Sequence, residues 1–190
     1  MTDMTEIDSS AKFNRSAYLY TPNISTGFPA RFDAMGFNEA DLRKKILDVG
    51  CGCIGEALRY GDQIFGIDPN LDQMVINGEI VPSEMGVTVR ERSVKALAEE
   101  LPFKDESFDI VYSVKAVGFY PRNINFEMSV REMLRVVKKQ TGVICFNWGQ
   151  EMTPKILNPT LNRLQKEGYN VNIVSNWIYI VHPQFNDEKD

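Results

Sequence analysis

The sequence predicts an α/β fold: one domain with a doubly wound, mostly parallel sheet ending in an antiparallel hairpin. Three observations carry that reading. From Ile46 onward, short apolar runs alternate with longer amphipathic segments. A glycine turn, Gly50-Cys51-Gly52 with Gly55, separates two of these runs, and the second run ends in Asp68. Near the end, two strand-like runs are joined only by Ser175-Asn176, too short a link for a parallel crossover.

Taken in order, the first 42 residues carry Phe13, Tyr18, Leu19, Tyr20, Phe28, Phe32 and Phe37, interrupted by Pro22 and Pro29. This predicts short helices and turns lying over a site. Segment 1–42 is then not an independent domain but a cover for the domain 43–190. Ile46–Val49 reads as a buried strand, 56–60 as a short helix, and Ile64–Ile67 as the second strand. A helix near 71–77, a strand at 87–90, a helix near 94–100 and a strand at 108–113 continue the alternation. The segment 126–137 places Phe126, Val130, Met133, Leu134 and Val137 on one helical stripe, with Lys138 and Lys139 at its negative end. Then come a strand at Val143–Asn147, a helix at 161–166 stopped by Gly168, and strands at 171–174 and Trp177–Val181.

At 190 residues and 43% hydrophobic content, the chain can fill one core. A net charge of −5 argues against a nucleic-acid or anionic-membrane partner, and the basic cluster Arg43-Lys44-Lys45 reads as a solvated helix end. No apolar run reaches the roughly 18 residues of a membrane span, and Met1 to Ser10 is polar and acidic, so a cytoplasmic protein is expected. Three cysteines, Cys51, Cys53 and Cys145, do not make a disulfide framework, and with His182 as the only histidine no metal site is expected.

The glycine turn is where chemistry is expected. Glycines let the backbone turn tightly and approach a ligand, and the helix that follows offers free N–H groups. Asp68, twenty residues beyond Asp48, can accept both hydroxyls of a ribose. Literally, Gly50-x-Gly52-x-x-Gly55 is a dinucleotide fingerprint, which keeps an NAD-dependent oxidoreductase in view. Two features pull away from nicotinamide: Asp48 inside an otherwise apolar strand, and the turn-rich run Leu101-Pro102-Phe103-Lys104-Asp105-Glu106-Ser107-Phe108-Asp109-Ile110-Val111.

Ile-Leu-Asp-Val-Gly-Cys-Gly, Gly-Ile-Asp-Pro, the Leu-Pro-Phe to Ile-Val run and Arg131-Glu132-Met133-Leu134-Arg135-Val136-Val137-Lys138 stand here in a fixed order. In that order and spacing the chain resembles class I S-adenosylmethionine-dependent methyltransferases, most closely the small-molecule branch that includes quinone-biosynthesis enzymes. The resemblance covers roughly residues 44 to 182. It implies a Rossmann-like seven-stranded sheet with the last strand inserted antiparallel, S-adenosylmethionine as cofactor and S-adenosylhomocysteine as product. It implies cofactor contacts at Asp48, Gly50, Cys51, Gly52, Asp68, Pro69, Ser93, Val94 and Ser113. Within that set, Gly50 and Gly52 would lie under the methionine part, Asp68 on the ribose, and Pro69 with Ser93-Val94 near the adenine, while Asp48 would order the loop or a water beside the amino group. The family has a further glycine where Ile54 stands, and often an acid for the adenine amino group where Leu97 stands.

Methyl transfer from a sulfonium is an in-line displacement that depends chiefly on holding the acceptor in place, with a base needed only for a protonated, weakly acidic acceptor. The residues after the sheet's carboxyl ends are the candidates: Lys115 or Tyr120 for a proton, Trp148 to stack on a flat acceptor. Tyr120 and Trp148 read equally as packing residues, and Lys115 as a solvated loop charge. Tyr18 and Tyr20 are candidates to close the site or simple core aromatics. His182, after the antiparallel last strand, is placed at the edge away from the cofactor. The strand-four exit lacks the Asn/Asp-Pro-Pro-aromatic run of adenine and glutamine methyltransferases. The expected function is methyl transfer to a small molecule; the rival class is a cofactor-binding regulator or partner subunit without turnover.

Overall fold

The computed structural model describes residues 28–52, 55–71, 73–76, 79–82, 90–117, 125–148 and 152–183, with backbone alone at 73–76 and 79–82. The strands are β1 (Ile46–Val49), β2 (Ile64–Ile67), β3 (Gln73–Ile76), β4 (Glu79–Pro82), β5 (Ser93–Val94), β6 (Ile110–Ser113), β7 (Val143–Asn147), β8 (Asn170–Val174) and β9 (Trp177–Val181). The helices are α1 (Phe28–Ala34), α2 (Phe126–Val136) and α3 (Pro154–Lys166), with short 3-10 turns at Glu39–Arg43 and Glu56–Arg59.

Seven strands form one sheet in the order β5-β2-β1-β6-β7-β9-β8. The five on the β5 side run parallel, and β9 lies antiparallel between β7 and β8. This is the expected seven-stranded, mostly parallel α/β sheet with its last strand inserted antiparallel. The crossovers carry the chain back so that β1, β2 and β6 end on the same edge, which is where a doubly wound sheet builds its site.

The strand residues alternate cleanly between two cores. Leu47, Val49, Phe65, Val111, Ile144 and Phe146 pack with Phe126, Val130 and Met133 of α2 and with Leu157, Leu161 and Leu164 of α3. Ile46, Ile64, Ile110, Tyr112 and Cys145 face the other way and pack under Phe28, Phe32 and Met35. Both faces are covered, as a parallel sheet requires.

The sequence motifs are held to each other. Arg135 of α2 donates through Nη2 to Leu101 O at 2.8 Å and through Nη1 to Phe103 O at 2.7 Å. Glu132 accepts from Leu101 N at 2.8 Å. Asp109 accepts from Lys45 N at 2.9 Å and from Lys138 Nζ at 2.7 Å, which ties the entries of β1 and β6 to the exit of α2. The Leu-Pro-Phe run and the Arg-Glu-Met-Leu-Arg helix are therefore two halves of one brace.

Several elements differ from expectation. In place of a helix near 71–77 there is a hairpin, β3 paired antiparallel with β4 outside the main sheet. Asn77-Gly78 between two β-branched runs is a strong hairpin signal, and it prevails over the weak helical pattern. The strand expected at 87–90 is replaced as the neighbour of β2 by β5, a few residues later, since Gly66 N bonds Arg92 O at 2.9 Å; residues 87–89 lie outside the described residues. No helix forms at 94–100. Val94 is taken up by β5, and the short remainder runs into Pro102, which disfavours helical backbone just before it. The expected helix at 56–60 is a 3-10 turn, the helix at 161–166 begins earlier, at Pro154, and the strand at 108–113 begins at Ile110, with Phe108 bridging Val137 instead.

Candidate functional site

At the carboxyl edge, the turn after β1 is built from residues that only glycine suits. Gly50, Gly52 and Gly55 have φ of 84°, 71° and 51°. Gly50 N and Cys51 N both donate to Ile67 O, at 2.8 and 3.0 Å, so the turn is fastened to the end of β2. A Cβ on Gly50 would stand 2.2 Å from Ala116 Cβ, and one on Gly66 would stand 2.7 Å from Cys51 Sγ. The turn thus sits between the loop after β6 on one side and β2 on the other, with Cys51 as a small filler.

Asp68 follows β2 directly and is buried. Its Oδ2 accepts from Gly52 N at 3.0 Å and its Oδ1 from Asn70 N at 2.7 Å. Its own N–H bonds Val94 O at 3.2 Å, which places β5 beside it. Burial raises its pKa above the ordinary carboxylate range, and the two backbone N–H groups work against that rise. Each oxygen has accepted one bond, so each retains acceptor capacity for a vicinal diol. The acceptor set fits the two hydroxyl donors of a ribose, and the positive-φ glycines give it a close backbone floor.

Asp48 faces the α1 side of the sheet, with Gly66 and Tyr112 as its cross-strand neighbours. Burial is the main reason its pKa rises from 3.8 to about 7; Tyr112 and Arg31 pull it down, and Asp68 and Glu56 push it up. The Tyr112 hydroxyl is buried beside this carboxylate, with no hydrogen bond of normal geometry among the described residues, and it acts on it as a nearby dipole. Burial, and after it Asp48, hold the phenol well above its ordinary pKa.

The loop leaving β6 is shaped by two strand-end side chains. Ser113 Oγ accepts from Val117 N at 2.9 Å, and Asn147 Oδ1 accepts from Lys115 N at 2.8 Å, holding Lys115 at φ 55°. Asn147, which the sequence puts at the strand-five exit without assigning it a role, is buried and fixes this loop. Trp148 follows it, half-buried against the α2 core, with a buried indole N–H that has no hydrogen-bond partner among the described residues. The structure therefore brings Asp48, Gly50, Cys51, Gly52, Asp68, Pro69, Ser93, Val94 and Ser113 to the carboxyl ends of β1, β2, β5 and β6, with Lys115 and Trp148 at those of β6 and β7. Ser93 Oγ bonds Arg90 O at 3.3 Å. Tyr120, Tyr18, Tyr20, Cys53 and Ile54 lie outside the described residues. His182 stands at the opposite edge, its Nε2 2.8 Å from Leu134 O and its ring 5.2 Å from Tyr169.

A family model described as a methyltransferase domain matches residues 47–146, more than half of the chain. The chain belongs to that family. Among its relatives, the demethylmenaquinone methyltransferase of Alkalihalophilus pseudofirmus is 35% identical over 119 residues, covering 59% of this methyltransferase-family chain and 48% of that protein. The 2-methyl-6-phytyl-1,4-hydroquinone methyltransferase of Synechocystis is 36% identical over 109 residues, 55% of this chain and 32% of that one. The chain thus spans about half or less of the length of these curated relatives. A solved structure from Methanococcus maripaludis, assigned as an S-adenosyl-L-methionine-dependent methyltransferase, superposes with a TM-score of 0.52 at 14% identity, covering 83% of this chain and 84% of that one. That likeness shows the fold.

Proposed function

We propose that this chain is an S-adenosylmethionine-dependent methyltransferase acting on a small-molecule acceptor. The observation that carries the reading is Asp68, held between the glycine turn and β5 at the carboxyl edge with acceptor capacity to spare, in a chain of the methyltransferase domain family. In this proposal Asp68 receives the ribose hydroxyls, and Gly50, Cys51 and Gly52 floor the methionine part. Pro69, Ser93 and Val94 border the adenine, and Ser113 shapes the neighbouring wall. Asp48 lies beneath the turn, where its charge favours the cofactor's amino group.

The bound cofactor supplies an electrophilic methyl on a sulfonium. The chain's part is to orient the acceptor and exclude water. In this reading Asn147 fixes the loop after β6, Trp148 offers a ring face to a flat acceptor, and Lys115 or Tyr120 takes a proton from a phenolic acceptor. The names of the relatives support a flat quinol-like acceptor as the first class to try. The negative charge and odd cysteine number support a cytosolic setting; no helix among the described residues is long and apolar enough to cross a membrane.

Titration calorimetry with S-adenosylmethionine and S-adenosylhomocysteine tests the reading. Saturable binding of both, with no preference for NAD, is expected; no affinity for either would sink it. Binding without turnover on any phenol or quinol would shift the reading to a cofactor-binding partner subunit.

A further inference from the structure

Helix α1 and the glycine turn are joined by one side chain. Glu56 opens the 3-10 turn that follows Gly55. Its Oε1 accepts from Phe28 N at 2.9 Å, and its Oε2 accepts from Arg31 Nη2. Gly55 N in turn donates to Gly52 O at 3.3 Å, and Gly52 N donates to Asp68. A path therefore runs from the first turn of α1 by hydrogen bonds to Glu56, by the Gly55–Glu56 peptide bond into the glycine turn, and by two backbone N–H groups to the carboxylate at the end of β2.

We propose that Glu56 and Arg31 are positioning residues for the cofactor: they latch α1 to the glycine turn and hold it in the shape that receives the ligand. This rests on the methyltransferase reading above. It extends the cofactor machinery to a helix outside the β1–β7 core. The helix has its own anchors, since Tyr179 Oη donates to Met35 O at 3.1 Å and the Phe28 ring packs at a tilt against Tyr60 at 5.1 Å and Tyr112 of β6 at 6.2 Å. The latch is thus not what keeps α1 folded onto the sheet. Its effect is local, on the turn. Arg31 does a second thing. Among the described residues, the groups acting on Asp48 are Tyr112 from β6, Asp68 from the end of β2, Glu56 from the 3-10 turn and Arg31 from α1, of which Arg31 is the cation.

The test is S-adenosylhomocysteine affinity by calorimetry, run beside thermal unfolding, for Arg31→Met, Glu56→Ala, Glu56→Gln and the double variant Arg31→Met/Glu56→Ala. Each single change should weaken binding roughly fivefold, in line with a partly buried ion pair, and the double should lose no more than the worse single. Glu56→Gln keeps the acceptor for Phe28 N and should lose less than Glu56→Ala; it also carries the test if Glu56→Ala does not fold. The affinity–pH profile of Arg31→Met should move to higher pH, because the cation that favours ionised Asp48 is gone. Folded variants with native affinity and an unmoved pH profile, or losses that simply add, would overturn the latch. A native protein with no affinity at all would instead overturn the methyltransferase reading and the latch together.

Discussion

Asp68 offers two carboxylate oxygens, each already holding one backbone N–H, and a ribose diol would complete both. Replacing it with alanine removes charge-assisted bonds worth about 1.5 to 3 kcal/mol, so Asp68→Ala should weaken S-adenosylhomocysteine binding by that amount in a folded protein. A native dissociation constant would remove Asp68 from the site. Asp48 makes a prediction in pH. The unfolded chain releases its proton near 3.8, whereas burial keeps it bound in the folded chain up to about 7. The stability tied to neutral Asp48 is fully present below 3.8 and is lost as pH rises through 7. Asp48→Asn should therefore match the native protein in urea unfolding at pH 3.5 and exceed it at pH 8, by up to about 4 kcal/mol. A difference that stays constant with pH would contradict this. Cofactor affinity should rise through the same pH window in the native protein and stay flat in Asp48→Asn. The residues named in these predictions were legible because strand, turn and acid stand in a fixed local order. Arg31 and Glu56 were not: they meet across 25 positions with no periodic pattern to announce it.

Among the elements, α2 shows most plainly what a motif can be for. Arg135 reaches three groups of the Leu-Pro-Phe run, the carbonyls of Leu101 and Phe103 and the carboxylate of Asp105. Its removal strands two carbonyls, and Arg135→Met should lower stability by about 2 kcal/mol with the cofactor constant unchanged, read from urea midpoints and calorimetry. Loss of affinity at native stability would contradict that division. The stripe of Phe126, Val130, Met133 and Leu134 made this helix legible, because a long amphipathic segment carries its own period. The hairpin of β3 and β4 was legible too, in Asn77-Gly78, but a competing helical reading obscured it. Segment 94–100 misled because good helix formers mean little in so short a run before a proline. The brace itself, made of pairings across about 30 positions, has no sequence period at all.

At the scale of the molecule, the two cores are unequal in kind. Among the described residues, one lies under two long helices and the other under the seven residues of α1 and a 3-10 turn. Phe28 and Phe32 are nearly inaccessible, at 2% and 3% exposure, so they serve as core residues of the sheet. Phe28→Ala should destabilise the whole fold by about 3 to 5 kcal/mol in cooperative unfolding, and a change confined to local fluorescence would show α1 to be an accessory. Most of the aromatics expected to lie over a site are in the part of 1–42 outside the described residues; Phe28 and Phe32, which are described, belong to a seven-residue helix that opens on Phe28-Pro29. The placement of β9 has a further consequence, in the order of synthesis. β7 finds its outer neighbour only when residues 177–181 have been made, some thirty positions after Asn147. Until then a growing chain presents Ile144 and Phe146 on an open strand edge, the kind of surface that invites pairing with a stranger. The strand that fills the place between β7 and β8 thereby sets how long that edge stays open during synthesis.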